Sequence, residues 1–362
     1  MRALVVLSSA ALPERRATLR ALLGMGCEVT VAAGDRMDGS ASVSWAGAGG
    51  VRVLPIPVRG SDPAEQRWKS KALRRLMTEL RPAIVQVEAE PHWPVAATVT
   101  ALAQRLRTPS VIVASESVPR PLSVLQRLRR RRVLRRAKGI AGINRLALEL
   151  LADSTGNKPH GVLRLTPANV PLNGPALDPD RPFTVGCVGR LVPERGVDVL
   201  LRGVARLRGQ WRLLLAGTGP AQEELEELAE RLGIGSRVSW LGGIPAEHIS
   251  DLWPQLDCLA LPSRSTAHWV EPVARVVVEA MANSIPVVGS DTGAIPEVIG
   301  EAGIVVPPED PDAVGLALER LQHLPDERVQ LGLAGRRRVI AEFVPDALAR
   351  KTVAFWRQVA SS

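Results

Sequence analysis

Two carboxylates, Glu271 and Glu279, stand eight residues apart in the stretch 262–299, PSRSTAHWVEPVARVVVEAMANSIPVVGSDTGAIPEVI. The stretch reads as a strand end, a polar loop, a helix, a buried strand and a Gly-containing turn. Pro272 suits a first helical turn, where a missing N–H costs nothing. Val273, Val276, Val277, Ala280 and Met281 follow the i, i+3, i+4 spacing of a helix packed on a sheet. That spacing puts Glu271 in the loop just ahead of the helix and Glu279 two turns in. Free N–H groups at a helix start take phosphate. A carboxylate beside them cannot bind phosphate, but it can hold sugar hydroxyls. Together these residue types describe a nucleotide-sugar site. A loop carboxylate contributes little to packing, so Glu271→Ala is expected to abolish activity and leave the fold intact.

The elements that must carry this site alternate along the whole chain. Strand-like runs at 3–9, 28–34, 51–58, 83–88, 110–116, 139–144 and 161–167 are separated by helix-patterned segments such as PERRATLRALLGMG and PVAATVTALAQRL. Runs at 184–190, 211–217, 237–242, 258–263, 286–291 and 303–308 repeat the scheme, between amphipathic helices such as AQEELEELAERLG. Short apolar strands alternating with helices imply parallel sheets covered on both faces. Residues 166–182 hold five prolines and no periodicity, which reads as a domain linker. The expected fold is α/β with two doubly wound Rossmann-like domains, residues 1–170 and 171–344, facing a central cleft. In such sheets ligands bind off the carboxyl ends of the strands.

At 362 residues each domain can bury its own core, and 46% hydrophobic content excludes disorder. No apolar run reaches the length of a membrane span, and the start MRALVVLSS reads as a strand rather than a targeting segment. Cys27, Cys187 and Cys258 lack metal spacing, as do the five dispersed histidines, so the expectation is core thiols in a reducing cytoplasm and no metal. The formal charge of +9 comes with many arginines, few lysines and no tyrosine, a bias that a GC-rich bacterial genome explains. With 3% aromatics a nucleic-acid stacking platform is poorly supplied, so no nucleic-acid partner is expected. An anionic membrane surface fits the charge better.

The stretch around Glu271 resembles the signature of retaining glycosyltransferases of family 4, which have the GT-B fold. The family's Glu-x7-Glu-Ala-Met-Ala stands here as Glu271 to Ala282, followed by Pro286-Val287-Val288 and Gly293. The resemblance covers the C-terminal half, and only the architecture of the N-terminal one. It implies transfer of a hexose from a nucleoside-diphosphate sugar with retention, without a metal or other cofactor. Glu271 would hold the sugar hydroxyls and Glu279 the ribose. The final segment, 345–362, would cross back onto the N-terminal domain. Gly189-Arg190-Leu191-Val192-Pro193-Glu194-Arg195-Gly196 is similar to the family's Gly-Arg-Leu-x-x-x-Lys-Gly element, with Arg195 in place of lysine. Two cations at a strand end stabilise a departing diphosphate, although arginine's planar fork differs from a point charge.

Ala216-Gly217-Thr218-Gly219-Pro220 reads as a tight backbone turn. The loop with Gly242, Gly243 and Ile244 resembles the one that packs on the base, and Pro245-Ala246 beyond it leans towards uracil, hence a UDP-sugar. Val273-Ala274 departs from the family's aromatic-Gly pair, and the Ala274 methyl is expected to crowd an approaching phosphate. Ser8-Ser9-Ala10-Ala11 departs from the usual glycine pair. These departures keep a degenerate, non-catalytic scaffold as one alternative; a sugar-nucleotide epimerase is another. In the N-terminal half, Glu88 aligns with a family histidine, with Glu90 and His92 close by; they are candidates to bind hydroxyls or orient an acceptor as a base. His268-Trp269 either shapes the sugar pocket or lies on a surface loop. Seven arginines between Arg127 and Arg136 share a helix with a thin apolar stripe of Leu125, Leu128, the Arg132 stem and Leu134. They form either a solvated face, with a soluble small-molecule acceptor, or a dock for anionic lipid, which would place a cytoplasmic enzyme against the inner membrane face with a lipid-linked or glycan acceptor.

Overall fold

The computed structural model describes residues 1–7, 12–35, 50–60, 62, 64–172, 181–245 and 247–362. The Ser8 to Ala11 departure and Ala246 therefore lie outside the described residues. The chain divides into two compact units, Met1–Pro167 with Val344–Ser362, and Ala168–Phe343.

In unit 1 the strands are β1 (Arg2–Leu7), β2 (Glu28–Gly34), β3 (Arg52–Ile56), a short antiparallel ribbon of β4 (Val58–Arg59) and β5 (Arg67–Trp68), β6 (Ile84–Glu88), β7 (Ser110–Ala114), β8 (Gly139–Gly142) and β9 (His160–Val162). The helices between them are α1 (Leu12–Gly24), α2 (Ser70–Leu80), α3 (Pro94–Arg105), α4 (Val124–Arg136) and α5 (Arg145–Glu149). The main sheet is parallel, in the order β3-β2-β1-β6-β7-β8-β9. Along β1, Ala3, Val5 and Leu7 enter one apolar cluster and Leu4 and Val6 the other, the two-residue period of a strand buried on both faces. The run at 161–167 pairs only over β9; beyond it the chain is irregular.

Unit 2 contains β10 (Phe183–Val188), α6 (Val197–Val204), β11 (Trp211–Ala216), α7 (Gln222–Arg231), β12 (Val238–Gly242), β13 (Cys258–Leu261), α8 (Arg275–Ala282), β14 (Val287–Ser290), α9 (Ile295–Ile299), β15 (Ile304–Val306), α10 (Pro311–His323) and α11 (Pro325–Glu342). Its parallel sheet has the order β12-β11-β10-β13-β14-β15. The chain winds outward in both directions from β10 and β13, so their carboxyl ends flank the topological switch point where such sheets bind ligands. In unit 1 the corresponding pair is β1 and β6.

The last helix, α12 (Pro345–Ser361), belongs to unit 1 and packs against α1. Trp356 is fully buried there, and its indole Nε1 donates to Gln86 Oε1 at 2.8 Å.

Candidate functional site

The loops after β10 and β13 are drawn together by contacts that no local sequence pattern announces. Arg264, just past β13, donates its backbone N–H to Glu194 O (2.9 Å) and one guanidinium nitrogen to Pro193 O (3.2 Å). A second nitrogen bridges both oxygens of Asp198, at 3.1 and 3.0 Å. This brace sets Arg195 beside Glu271. Arg195 donates to Glu271 Oε2, and its guanidinium lies 5.6 Å from the centre of the Trp269 ring. Of the pair read from sequence, Trp269 is thus part of the site, while His268 is exposed on the loop. The other Glu271 oxygen, Oε1, accepts the Ala274 N–H at 3.1 Å. Glu271 is 6% exposed, so it is not the loosely held loop carboxylate that the sequence suggested.

The helix after Glu271 starts later than its apolar spacing implied. Pro272 and Val273 precede it, Ala274 is its N-cap, and α8 begins at Arg275. Ala274 adopts φ 50°, ψ 44°, a left-handed conformation that costs an L-residue roughly 1–2 kcal/mol. Its methyl is fully buried in the apolar cluster with Leu261 and Val277, so the departure from glycine is carried as backbone strain rather than as a methyl standing over the helix amides. Glu279 accordingly lies one turn into α8, held by Arg275 Nε at 2.7 Å, with its side chain 28% exposed.

Two glycines fix these loops. Gly293 has φ +57°, and a Cβ there would lie 2.3 Å from Glu271 O; the next N–H, from Ala294, donates to that oxygen at 2.7 Å. Gly217 has φ +145°, and a Cβ there would lie 1.8 Å from Gly189 O. The Gly217 turn is therefore a backbone packing element, with its N–H on Gly242 O at 2.7 Å. Gly189 donates to Ala216 O at 2.9 Å, which stacks the β10 and β11 loops. Arg190 points its side chain outward, without a hydrogen bond or ion pair among the described residues. Ile244 packs on the cluster beneath α8, and Val273 is half-buried.

In unit 1 Glu88 is held by protein partners. Its carboxylate accepts from Arg15 (2.7 Å) and Gln86 (2.8 Å), with both charged side chains buried. Arg15 also donates to Leu165 O at 2.8 Å, and Gln86 accepts from Trp356, so Glu88 sits inside a polar network that ties β6 to α12. A carboxylate committed in this way has fewer acceptor positions left for a substrate hydroxyl. The exposed-facing group is Glu116, two residues past β7, which the sequence reading missed. Burial, then the nearby Glu90 carboxylate, push the Glu116 carboxyl up to about 7 against the pull of Arg120 and Arg130. Glu90 is buried and also raised by burial. His92 is lowered, first by burial and then by Arg130, Arg129 and Arg120, all of which favour its neutral form.

Residues 175–338, all within unit 2, match the family model described as Glycosyl transferases group 1. Over 164 residues, 43% of each chain, the protein is 37% identical to the GDP-mannose-dependent alpha-(1-6)-phosphatidylinositol monomannoside mannosyltransferase of Mycolicibacterium smegmatis. It is 35% identical over 176 residues to the MMP alpha-(1->4)-mannosyltransferase of Mycolicibacterium hassiacum, 46% of this chain and 41% of that one. The chain thus spans a little under half the length of these relatives. Whole-chain likeness comes from solved structures: sucrose-phosphate synthase of Thermosynechococcus elongatus (TM-score 0.70, 19% identity, all of both chains) and Anabaena HepE in complex with UDP (TM-score 0.73, 15% identity, 98% and 99% of the chains). The two Rossmann-like halves have the GT-B fold.

Proposed function

We propose that this chain, whose residues 175–338 form a group 1 glycosyltransferase domain, transfers a hexose from a nucleoside-diphosphate sugar to a hydroxyl acceptor with retention of configuration. The observation that carries this reading is the Arg195–Glu271 pair at the switch point of the unit 2 sheet, next to the N-terminus of α8. One group of that pair suits a diphosphate and the other suits sugar hydroxyls. Arg190 supplies a second cation from the same loop, the first turn of α8 supplies amides, and Glu279 suits a ribose. No step needs a metal, because arginines and the helix terminus already provide positive potential where diphosphate charge develops. The relatives named for GDP-mannose put that donor ahead of the UDP-sugars favoured by the 245–246 loop. Melting shifts and hydrolysis with GDP-mannose, UDP-glucose and ADP-glucose test this directly. A folded protein that responds to no nucleoside diphosphate contradicts the reading.

The acceptor is proposed to be lipid-linked, reached from an anionic membrane surface. Helix α4 supports this, with a changed division of labour among its arginines. Val133 and Leu134 are buried, but Val124, Leu125 and Leu128 are 63%, 73% and 44% exposed, so the expected stripe is split: Leu134 faces inward, while Leu125 and Leu128, with Val124 beside them, face outward. Arg129 and Arg130 turn inward onto the carbonyls of His92 and Leu150. Arg127, Arg131, Arg132 and Arg135 are exposed beside the apolar trio. A helix with three exposed aliphatic side chains and four exposed arginines suits an anionic bilayer. No helix among the described residues is long and apolar enough to cross a membrane.

The protein should therefore sediment with vesicles containing phosphatidylglycerol and be released by high salt. At about 1 kcal/mol per basic residue, replacing Arg127, Arg131, Arg132 and Arg135 by Gln should lower partitioning at least about a hundredfold. Equal sedimentation of variant and wild type would leave the helix as a solvated face.

A further inference from the structure

At the carboxyl ends of β6 and β7, unit 1 holds a carboxylate that is presented but not used. Glu90 is buried, and its Oε1 accepts three hydrogen bonds, from Ser115 N (2.6 Å), Ser115 Oγ (2.9 Å) and Glu116 N (2.9 Å). This clamp fixes the backbone just past β7, independently of the side chain that Glu116 carries. The Glu116 side chain is 23% exposed, with His92 Nε2 at 3.9 Å and Arg120 Nε at 3.8 Å. Neither separation is a hydrogen bond. Among the described residues no donor reaches the Glu116 carboxylate, although it stands half-desolvated in a polar corner. A carboxylate so placed keeps acceptor positions open to solvent or to the hydroxyls of a ligand.

We propose that Glu116 is a specificity-determining residue that accepts hydrogen bonds from the vicinal hydroxyls of a polyol, a sugar or cyclitol ring, at the carboxyl end of β7. Its role as acceptor recognition rests on the glycosyltransferase reading; its existence as a polyol subsite rests on unit 1 alone. Glu116 binds in its ionised form, because only the carboxylate offers acceptor lone pairs in every direction. The groups facing it are Glu90 and His92 from the loop after β6, Arg120 from its own loop, and Arg129 and Arg130 from α4. His92 is held below its ordinary value by burial and by these arginines, and the two α4 arginines keep their charges while donating to backbone carbonyls. Among these groups Glu116 has its carboxyl pushed up to about 7. Its ionised fraction rises with pH through about 7, so polyol binding strengthens in the same direction.

The probes are methyl α-D-mannopyranoside and myo-inositol, followed by saturation-transfer NMR on the full chain with GDP present. Wild type should bind at least one of them, with affinity rising about tenfold from pH 6 to pH 8, the change in ionised fraction expected around a midpoint of about 7. Glu116→Gln, whose backbone N–H still reaches Glu90, should weaken binding at least tenfold at pH 8 and flatten the pH dependence. Absence of binding by wild type to both probes overturns the proposal, as does a pH-independent wild-type affinity or equal binding by the variant. The GDP melting shift is read on the same samples and should be the same in both proteins. Its absence from wild type would count against the donor reading, and the polyol result would stand by itself.

Discussion

Glu271→Gln is expected to lower kcat/KM for sugar transfer by about 10- to 100-fold while the protein remains folded. The estimate follows from losing one charge-assisted hydrogen bond to a sugar hydroxyl, about 1.5–3 kcal/mol. Glutamine keeps an oxygen that can accept the Ala274 N–H, so the left-handed N-cap of α8 survives the change. It also removes the charge that holds Arg195 in place. Glu271→Ala should do more damage, because it leaves the Ala274 amide without its acceptor and a partly buried guanidinium without its counter-ion. Its melting temperature should fall by several degrees as well as its activity. The two variants therefore separate chemistry from support, which the alanine variant by itself does not. A Gln variant that turns over within twofold of wild type would remove Glu271 from the sugar site.

What was legible in the sequence was the alternation of buried strands and helices, because a strand covered on both faces is largely apolar: β13 is apolar throughout, β1, β7 and β10 carry one polar residue each, and β6 carries two, Gln86 and Glu88. Helix α11 escaped notice for the opposite reason. Its buried positions, Gly332, Gly335 and Val339, are mostly small and make no apolar stripe. The site was half legible. Glu271 could be named from local pattern and Arg195 from the family resemblance, but they are 76 residues apart, and the Arg264 contacts that draw their loops together have no local signature. Glu88 drew attention because it aligns with a family histidine at the end of a strand. Its side chain turns to Arg15 and Gln86, however, whereas Glu116 lies in an unremarkable Ser-Glu-Ser segment. Only the clamp from Glu90 gives that segment meaning. In α4 the arginine run announced a charged helix, but which arginines face inward is decided by the carbonyls of His92 and Leu150.

Replacing Arg190 and Arg195 together by Ala should weaken GDP binding far more than guanosine binding. At about 1.5–3 kcal/mol for each charge-assisted hydrogen bond to phosphate, each residue is worth about 10- to 100-fold in Kd. The two contributions should be unequal. Arg190 is outward-facing, and its removal deletes one cation and little else. Removal of Arg195 also leaves the Glu271 carboxylate unpaired in a buried position, with its negative charge now directed at the incoming diphosphate. Arg195→Ala should therefore be the worse single variant. Adding Glu271→Gln to it should recover part of the lost GDP affinity, because the repelling charge is gone. Residues in contact couple in this way, whereas those without a shared partner add. Arg190→Ala should thus combine with Glu271→Gln additively. Calorimetric titration of the single, double and combined variants with GDP and with guanosine measures every term. Should the double variant keep the wild-type ratio of GDP to guanosine affinity, the diphosphate binds elsewhere, and the Arg195–Glu271 pair is only a brace between two loops.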